Sequence, residues 1–80
     1  MPQLTLLTRP GCGLCEEFLD ELATLGAAVP LPELTLVDVD SDALLARRHG
    51  LDIPVLLLDG VPVCRHRLDK TELLRLLRPR

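Results

Sequence analysis

The sequence predicts an α/β domain whose elements follow the order βαβαββα. Short apolar runs typical of buried strands alternate with amphipathic segments of helical period. An Asp-Gly pair separates two apolar runs, as in a β-hairpin, and a capped amphipathic helix follows them. This order favours a four-stranded mixed sheet with helices on both faces. With 80 residues, the chain is expected to form a single domain over residues 1–80.

The first strand and the first helix flank a tight turn. Residues 3–8 are mostly leucine and threonine and predict a buried strand, which Pro10 and Gly11 interrupt. A helix is then expected from about residue 12 to residue 25, and Gly26 is expected to end it. The apolar residues of this helix recur at helical spacing and share one face: Cys15, Phe18, Leu19, Leu22 and Leu25.

The second strand is expected over residues 34–39, after a crossover that contains two prolines. Because a helix connects it to the first strand, the two are expected to be parallel. Ser41 is then expected to cap a short helix from residue 42 to residue 49, which Gly50 ends and which turns Leu44 and Leu45 inward.

The last three elements are a hairpin and a helix. Residues 55–58 and 61–64 flank Asp59-Gly60, a pair typical of type I′ turns. Pro62 lacks a backbone N–H, so its strand is expected at a sheet edge. In the final helix Asp69 is the expected cap, with Glu72 three residues later.

Composition excludes several classes of function. The net charge is −3 and no basic stripe with interleaved aromatic residues is present, which argues against nucleic-acid binding. No apolar run reaches the roughly 20 residues that a membrane span needs. Three cysteines do not form a disulfide framework, and the start of the chain does not resemble a secretory signal. A reducing cytoplasm is therefore the expected location.

Two cysteines, Cys12 and Cys15, lie at the predicted turn between strand and helix. Residues three apart in a first helical turn face the same side, so the two sulfurs are close enough to bond. Cys12 would lie at the helix N-terminus, where free N–H groups favour an anion, and Cys15 would be shielded one turn inside. This arrangement is typical of a dithiol catalyst.

Other interpretations of the cysteines stay open. A structural disulfide would close a loop of about four residues and contribute only ~2 kcal/mol, which is little for a staple. Cys12, Cys15, Cys64 and His66 lack the second closely spaced pair of a zinc site, so no metal is assigned. Cys64 is either a small buried residue, which is the favoured interpretation, or a second resolving thiol or glutathionylation site.

With the CxxC turn, the element order and Ile53-Pro54 before the third strand, the chain resembles the thioredoxin superfamily and, in size, the small bacterial glutaredoxin-like proteins. The resemblance implies a thioredoxin-like fold and thiol–disulfide exchange, with Cys12 as the attacking thiolate and Cys15 as the resolving thiol. It also implies a cis Pro54 beside the sulfurs, with the Ile53 backbone pairing with a bound peptide or glutathione.

The remaining expectations concern the substrate. Gly13 and Leu14 match neither the Gly-Pro of thioredoxins nor the Pro-Tyr of glutaredoxins, whereas Arg9 matches the basic residue that glutaredoxins carry three positions before the first cysteine. As the cation nearest to Cys12 in sequence, Arg9 is expected to help lower the pKa of that thiol; the alternative is a solvated loop arginine. The residues expected to contact substrate are Arg9, Gly13, Leu14, Ile53 and Pro54. Residues 65–67 (Arg-His-Arg) replace the glycine-rich segment with which glutaredoxins hold glutathione.

The sequence thus predicts a monomeric dithiol oxidoreductase without a bound cofactor. Its substrate would be a protein disulfide or a glutathione mixed disulfide, with glutathione as a candidate reductant. The alternative is a protein-interaction, metal-binding or iron–sulfur-binding module that uses the same fold and cysteines without turnover.

Overall fold

The computed structural model of the chain describes residues 2–78. Its helices and strands are β1 (Leu4–Thr8), α1 (Gly13–Ala28), β2 (Leu34–Asp38), a 3₁₀ turn (Val39–Ser41), α2 (Ala43–His49), β3 (Val55–Leu58), β4 (Val61–Arg65) and α3 (Lys70–Leu77). The order βαβαββα is the predicted one.

The four strands form one mixed sheet in the order β2-β1-β3-β4. β1 runs parallel to β2 and antiparallel to β3, and β3 pairs with β4 in an antiparallel hairpin. Asp59 and Gly60 both have positive φ, as a type I′ turn requires. Pro62 lies on β4 at the sheet edge, as expected.

The central strand β1 is buried on both faces, because successive side chains point in opposite directions. On one face, called the α1/α3 face, strand residues pack with Phe18 of α1 and Leu73 of α3. On the other, called the α2 face, Leu7 and Val55 pack with Val39, and Leu45 of α2 lies against them. Helices therefore cover both faces of the sheet, as the sequence predicts.

Three expectations about the first two helices are wrong: that Gly26 ends α1, that Ser41 caps α2, and that Leu44 faces inward. Helix α1 passes through Gly26 and ends at Ala28, since alanine favours helix and the break comes from Val29, which is extended before Pro30. The cap of α2 is Asp42, whose carboxylate accepts the N–H groups of Leu44 and Leu45.

Ser41 belongs instead to the 3₁₀ turn, where its hydroxyl donates to the Asp38 carbonyl. Only Leu45 of the two leucines faces inward, whereas Leu44 is 55% exposed. In β4, the pairing of Leu56 with Cys64 and of Leu57 with Pro62 leaves Val63 as an extra residue in a bulge.

Candidate dithiol site

Cys12 is the N-cap of helix α1. Its backbone is extended, and its Sγ atom accepts the N–H of Cys15 at 3.2 Å. The Cys12 carbonyl accepts the N–H of Glu16, which begins the helical hydrogen bonds. The sulfur thus occupies the position that the oxygen of a serine or aspartate cap commonly fills, among the free N–H groups of the first turn.

Cys12 and Cys15 are joined by a disulfide, with Cα atoms 5.2 Å apart. Cys12 is half-buried, whereas Cys15 is only 3% exposed and, like Phe18 on the next turn, is buried. The structure therefore brings the two cysteines together as the spacing predicts, and it gives them different access to solvent. Cys12 is the more accessible of the two residues, as the attacking cysteine has to be.

The turn before the disulfide depends on Gly11. Its φ is +76°, a conformation that side chains rarely adopt, although no other group lies within 4 Å of where a Cβ atom would be. The requirement is therefore one of backbone conformation. The turn ends with the N–H of Cys12 donating to the Arg9 carbonyl at 3.2 Å, which connects the end of β1 to the start of α1.

The peptide bond between Ile53 and Pro54 is cis, as the resemblance implies. Pro54 is buried and Ile53 is half-buried. Within residues 2–78, the N–H and C=O groups of Ile53, which lies outside the strands and helices, make no hydrogen bond to another backbone group. The Pro54 carbonyl, in contrast, accepts the N–H of His66. That last bond ties the loop between β4 and α3 to the loop before β3.

Gly13 and Leu14, the residues between the cysteines, are exposed, and Leu14 exposes 47% of its surface. Leu14 borders a small groove between α1 and the loop that follows β4. The groove carries acidic side chains on α1 and basic ones on the loop: Leu14, Glu17, Phe18, Glu21, His66 and Arg67 line it. His66 adopts a positive φ of 67° there.

Arg9 is engaged by groups other than the cysteine sulfurs. Its Nε and Nη2 atoms donate to the two carboxylate oxygens of Asp40 at 2.7 and 3.0 Å, and Nη1 donates to the Gly50 carbonyl at 3.2 Å. This fork holds the pKa of the Asp40 carboxyl below its usual range, mainly through the hydrogen bonds from Arg9. Contact of Arg9 with a substrate stays a prediction.

Two residues near the site, Asp40 and Leu51, are not among those that the sequence predicts. Asp40 is 31 positions from Arg9, and one of several aspartates in its segment, so no local pattern pairs the two. Leu51 is 98% exposed in the loop just before Ile53. An apolar side chain between a helix-ending glycine and an aspartate is the signal that points to it, because loops at such positions are usually polar.

Other candidate features lie elsewhere or are not formed. A cleft of about 510 Å³ lies at the opposite ends of β1 and β2 from the disulfide, and no cysteine lines it. Among residues 2–78, no three His, Cys, Asp or Glu side chains are grouped so that they could hold a metal ion. In the same part of the chain, no helix combines the length and apolar character that crossing a membrane requires.

Comparison with known proteins gives relatives in mycobacteria. "Uncharacterized protein Rv0508" of Mycobacterium tuberculosis (strain ATCC 25618 / H37Rv) and "Uncharacterized protein Mb0520" of Mycobacterium bovis (strain ATCC BAA-935 / AF2122/97) are each 39% identical over 64 residues. The matched region is 74% of this chain and 65% of each relative, so it spans a little under two thirds of their length.

A solved structure extends the likeness to nearly the whole fold. The solution NMR structure of protein Ne2328 from Nitrosomonas europaea has a TM-score of 0.83 and 27% sequence identity, covering 94% of this chain and 89% of that one. Residues 3–78 also match the family described as Glutaredoxin-like domain (DUF836). The resemblance to glutaredoxin-like proteins and the predicted fold class are thereby confirmed, and the chain belongs to this glutaredoxin-like family.

Proposed function

We propose that the protein is a dithiol–disulfide oxidoreductase. The observation that carries the proposal is the Cys12–Cys15 pair at the start of α1, in which Cys12 is half-buried and Cys15 is buried. The sulfur of Cys12 lies where the free N–H groups and the helix dipole favour a thiolate over a thiol. Membership of the glutaredoxin-like family supports the same chemistry.

The reaction proceeds in two exchanges. The Cys12 thiolate attacks one sulfur of a substrate disulfide, the substrate S–S bond breaks, and the departing thiolate takes up a proton. Cys15 then loses its proton and attacks the Cys12 sulfur, which releases the second substrate thiol and leaves Cys12 and Cys15 bonded. The pair gives up two electrons and the Cys15 proton, and solvent supplies the second proton that the two substrate thiols need. Two molecules of an external thiol such as glutathione return the electrons and are themselves joined in a disulfide.

The substrate would lie against the surface beside Cys12. Gly13 and Leu14 are exposed between the cysteines, and the backbone groups of Ile53, which make no backbone hydrogen bond within residues 2–78, suit pairing with an extended segment. Arg9 is the remaining residue of the proposed substrate-binding set. We expect a protein disulfide or a glutathione mixed disulfide as the substrate, a monomeric enzyme, and a cytoplasmic location.

A trapping experiment tests the assignment. In Cys15→Ser the second exchange is blocked, so a mixed disulfide between Cys12 and the substrate should accumulate and be found by mass spectrometry of non-reduced peptides. Cys12→Ser is the matched control and should trap nothing. A parallel set of both variants should also carry Cys64→Ser. Capture through Cys64 in place of Cys12 would refute the choice of nucleophile.

A further inference from the structure

We propose that Arg9 is a positioning residue of the dithiol site, which holds the Cys12 turn and the loop before Pro54 in register through Asp40 and Gly50. This inference rests on the proposed oxidoreductase function and adds a role for a basic residue that charge alone would assign to thiolate stabilisation. Stabilisation of a thiolate would need only a positive charge at position 9. The positioning role also needs the planar guanidinium and its hydrogen-bond partners, so substitutions can tell the two roles apart.

The side chain of Arg9 joins three segments of the chain. Its planar fork meets both oxygens of Asp40, in the 3₁₀ turn after β2, at 2.7 and 3.0 Å. Its remaining terminal nitrogen donates to the Gly50 carbonyl, at the end of α2, at 3.2 Å. A lysine ammonium offers no planar pair of donors and could not make this set of contacts together.

The backbone of Arg9 holds the other half of the site. Its carbonyl accepts the Cys12 N–H at 3.2 Å. The residue whose side chain donates to Gly50 therefore also positions the N-cap of α1 through its backbone. Gly50 lies three residues before Ile53, and the N–H of Asp52 donates to the His49 carbonyl in a tight turn between them. One residue thus connects the loop that carries the accessible sulfur with the loop that carries the cis proline.

Gly50 is shaped to receive this contact. It is buried, and a Cβ atom there would collide with the Ala46 carbonyl oxygen and approach Nη2 of Arg9 to 3.4 Å. Its φ of −57° is open to any residue, so the space around it, and not its backbone conformation, calls for glycine. The end of α2 therefore leaves room for the guanidinium to reach the carbonyl.

The positive charge of Arg9 is paired with the negative charge of Asp40. Asp40 sits directly on the guanidinium, and the two side chains are 40% and 49% exposed. A paired cation and anion exert a weaker field at a distance than a lone cation, and solvent screens it further. Little of the Arg9 charge is then left to act on the Cys12 sulfur.

The test compares Arg9→Gln, Arg9→Lys and Asp40→Ala with the wild type, each in the full chain. Single-turnover reduction of a small aromatic disulfide gives the rate of attack, and thiolate absorbance against pH gives the pKa of Cys12. We expect every variant to slow attack at least 10-fold, Arg9→Lys as much as Arg9→Gln, while the pKa of Cys12 moves by less than about 0.3. A merely stabilising ion pair would change the melting temperature without changing the rate in the folded protein.

The matched control is the Arg75–Glu72 pair on α3, which has the same fork geometry at 2.7 and 2.9 Å. Glu72→Ala should leave the rate of attack unchanged. Asp40→Asn, a gentler change, replaces Asp40→Ala if that variant fails to fold.

The proposal is overturned if Arg9→Lys restores the wild-type rate, or if Asp40→Ala speeds attack and lowers the pKa of Cys12, since both results mean that the charge acts directly. An inactive wild type would refute the proposed function instead. In that event, amide chemical-shift changes at residues 51–53 in Asp40→Ala would still support the positional link, and their absence would refute it.

Discussion

Cys64 differs from the other two cysteines in its surroundings. It lies on β4 opposite Leu56 and packs half-buried against the α1/α3 face. Burial raises the pKa of the Cys64 thiol; the backbone N–H of Asp69 acts in the opposite direction, and the charge of Asp69 raises it further. Such a thiol stays protonated at neutral pH, and protonated thiols are poor nucleophiles.

We therefore predict that Cys64 is a packing residue. In the oxidised protein at pH 7.5, Cys64 should react with iodoacetamide at least about 10-fold more slowly than in the urea-unfolded chain, and the rate should rise as the pH approaches its raised pKa. Mass spectrometry of quenched samples measures this. Alkylation as fast as in urea, or loss of disulfide reduction in Cys64→Ser, would contradict the prediction and favour a second resolving thiol.

At the scale of single elements, helix α2 depends on its ends. It has seven residues, none of them fully buried, and its first turn is held by the Asp42 carboxylate, which accepts two N–H groups. Short helices have few internal hydrogen bonds to offset the cost of ordering, so a cap contributes a large share of their stability.

Asp42→Ala should lower the free energy of unfolding by about 1 kcal/mol, measured by urea denaturation. Asp42→Asn is the matched control and should lose little, because asparagine caps as well as aspartate. Ser41→Ala tests the position that the sequence alone favours and should cost less than Asp42→Ala. If the serine variant were the more damaging, the assignment of the cap to Asp42 would be wrong.

Some elements of this fold are determined by neighbouring residues and others by residues far apart in sequence. The Asp59-Gly60 turn, the Asp69 cap and the Cys12 helix start are set by neighbouring residues, and all three occur as predicted. Gly26 and Ser41 fail because each has a competing neighbour: two alanines extend α1, and Asp42 offers a better acceptor. The Arg9–Asp40 contact joins residues 31 positions apart, which no local pattern encodes.

At the scale of the whole molecule, the two faces of the sheet hold the fold together without the disulfide. Among residues 2–78, the α1/α3 face contains six buried residues and the α2 face three, and neither cysteine of the pair is one of them. The disulfide closes a loop of only about four residues, so its removal should release little chain entropy.

Reduction should therefore leave the protein folded and lower its free energy of unfolding by no more than ~2 kcal/mol. Urea denaturation with and without dithiothreitol measures the difference, with Cys64→Ser as the background in both samples so that only one pair is altered. A reduced protein that is unfolded in buffer would show instead that the pair is a structural staple.

The cap position of Cys12 has a practical consequence for inactivating the protein. The Cys12 sulfur contributes both to the stability of α1 and to the proposed catalysis, because the atom that would attack a substrate also accepts an N–H of the first turn of that helix. Alanine at this position removes both contributions at once, whereas serine keeps an acceptor that suits a helix start. A knockout by serine therefore reports on catalysis alone, and the gap between the serine and alanine variants reports what the sulfur does for the helix.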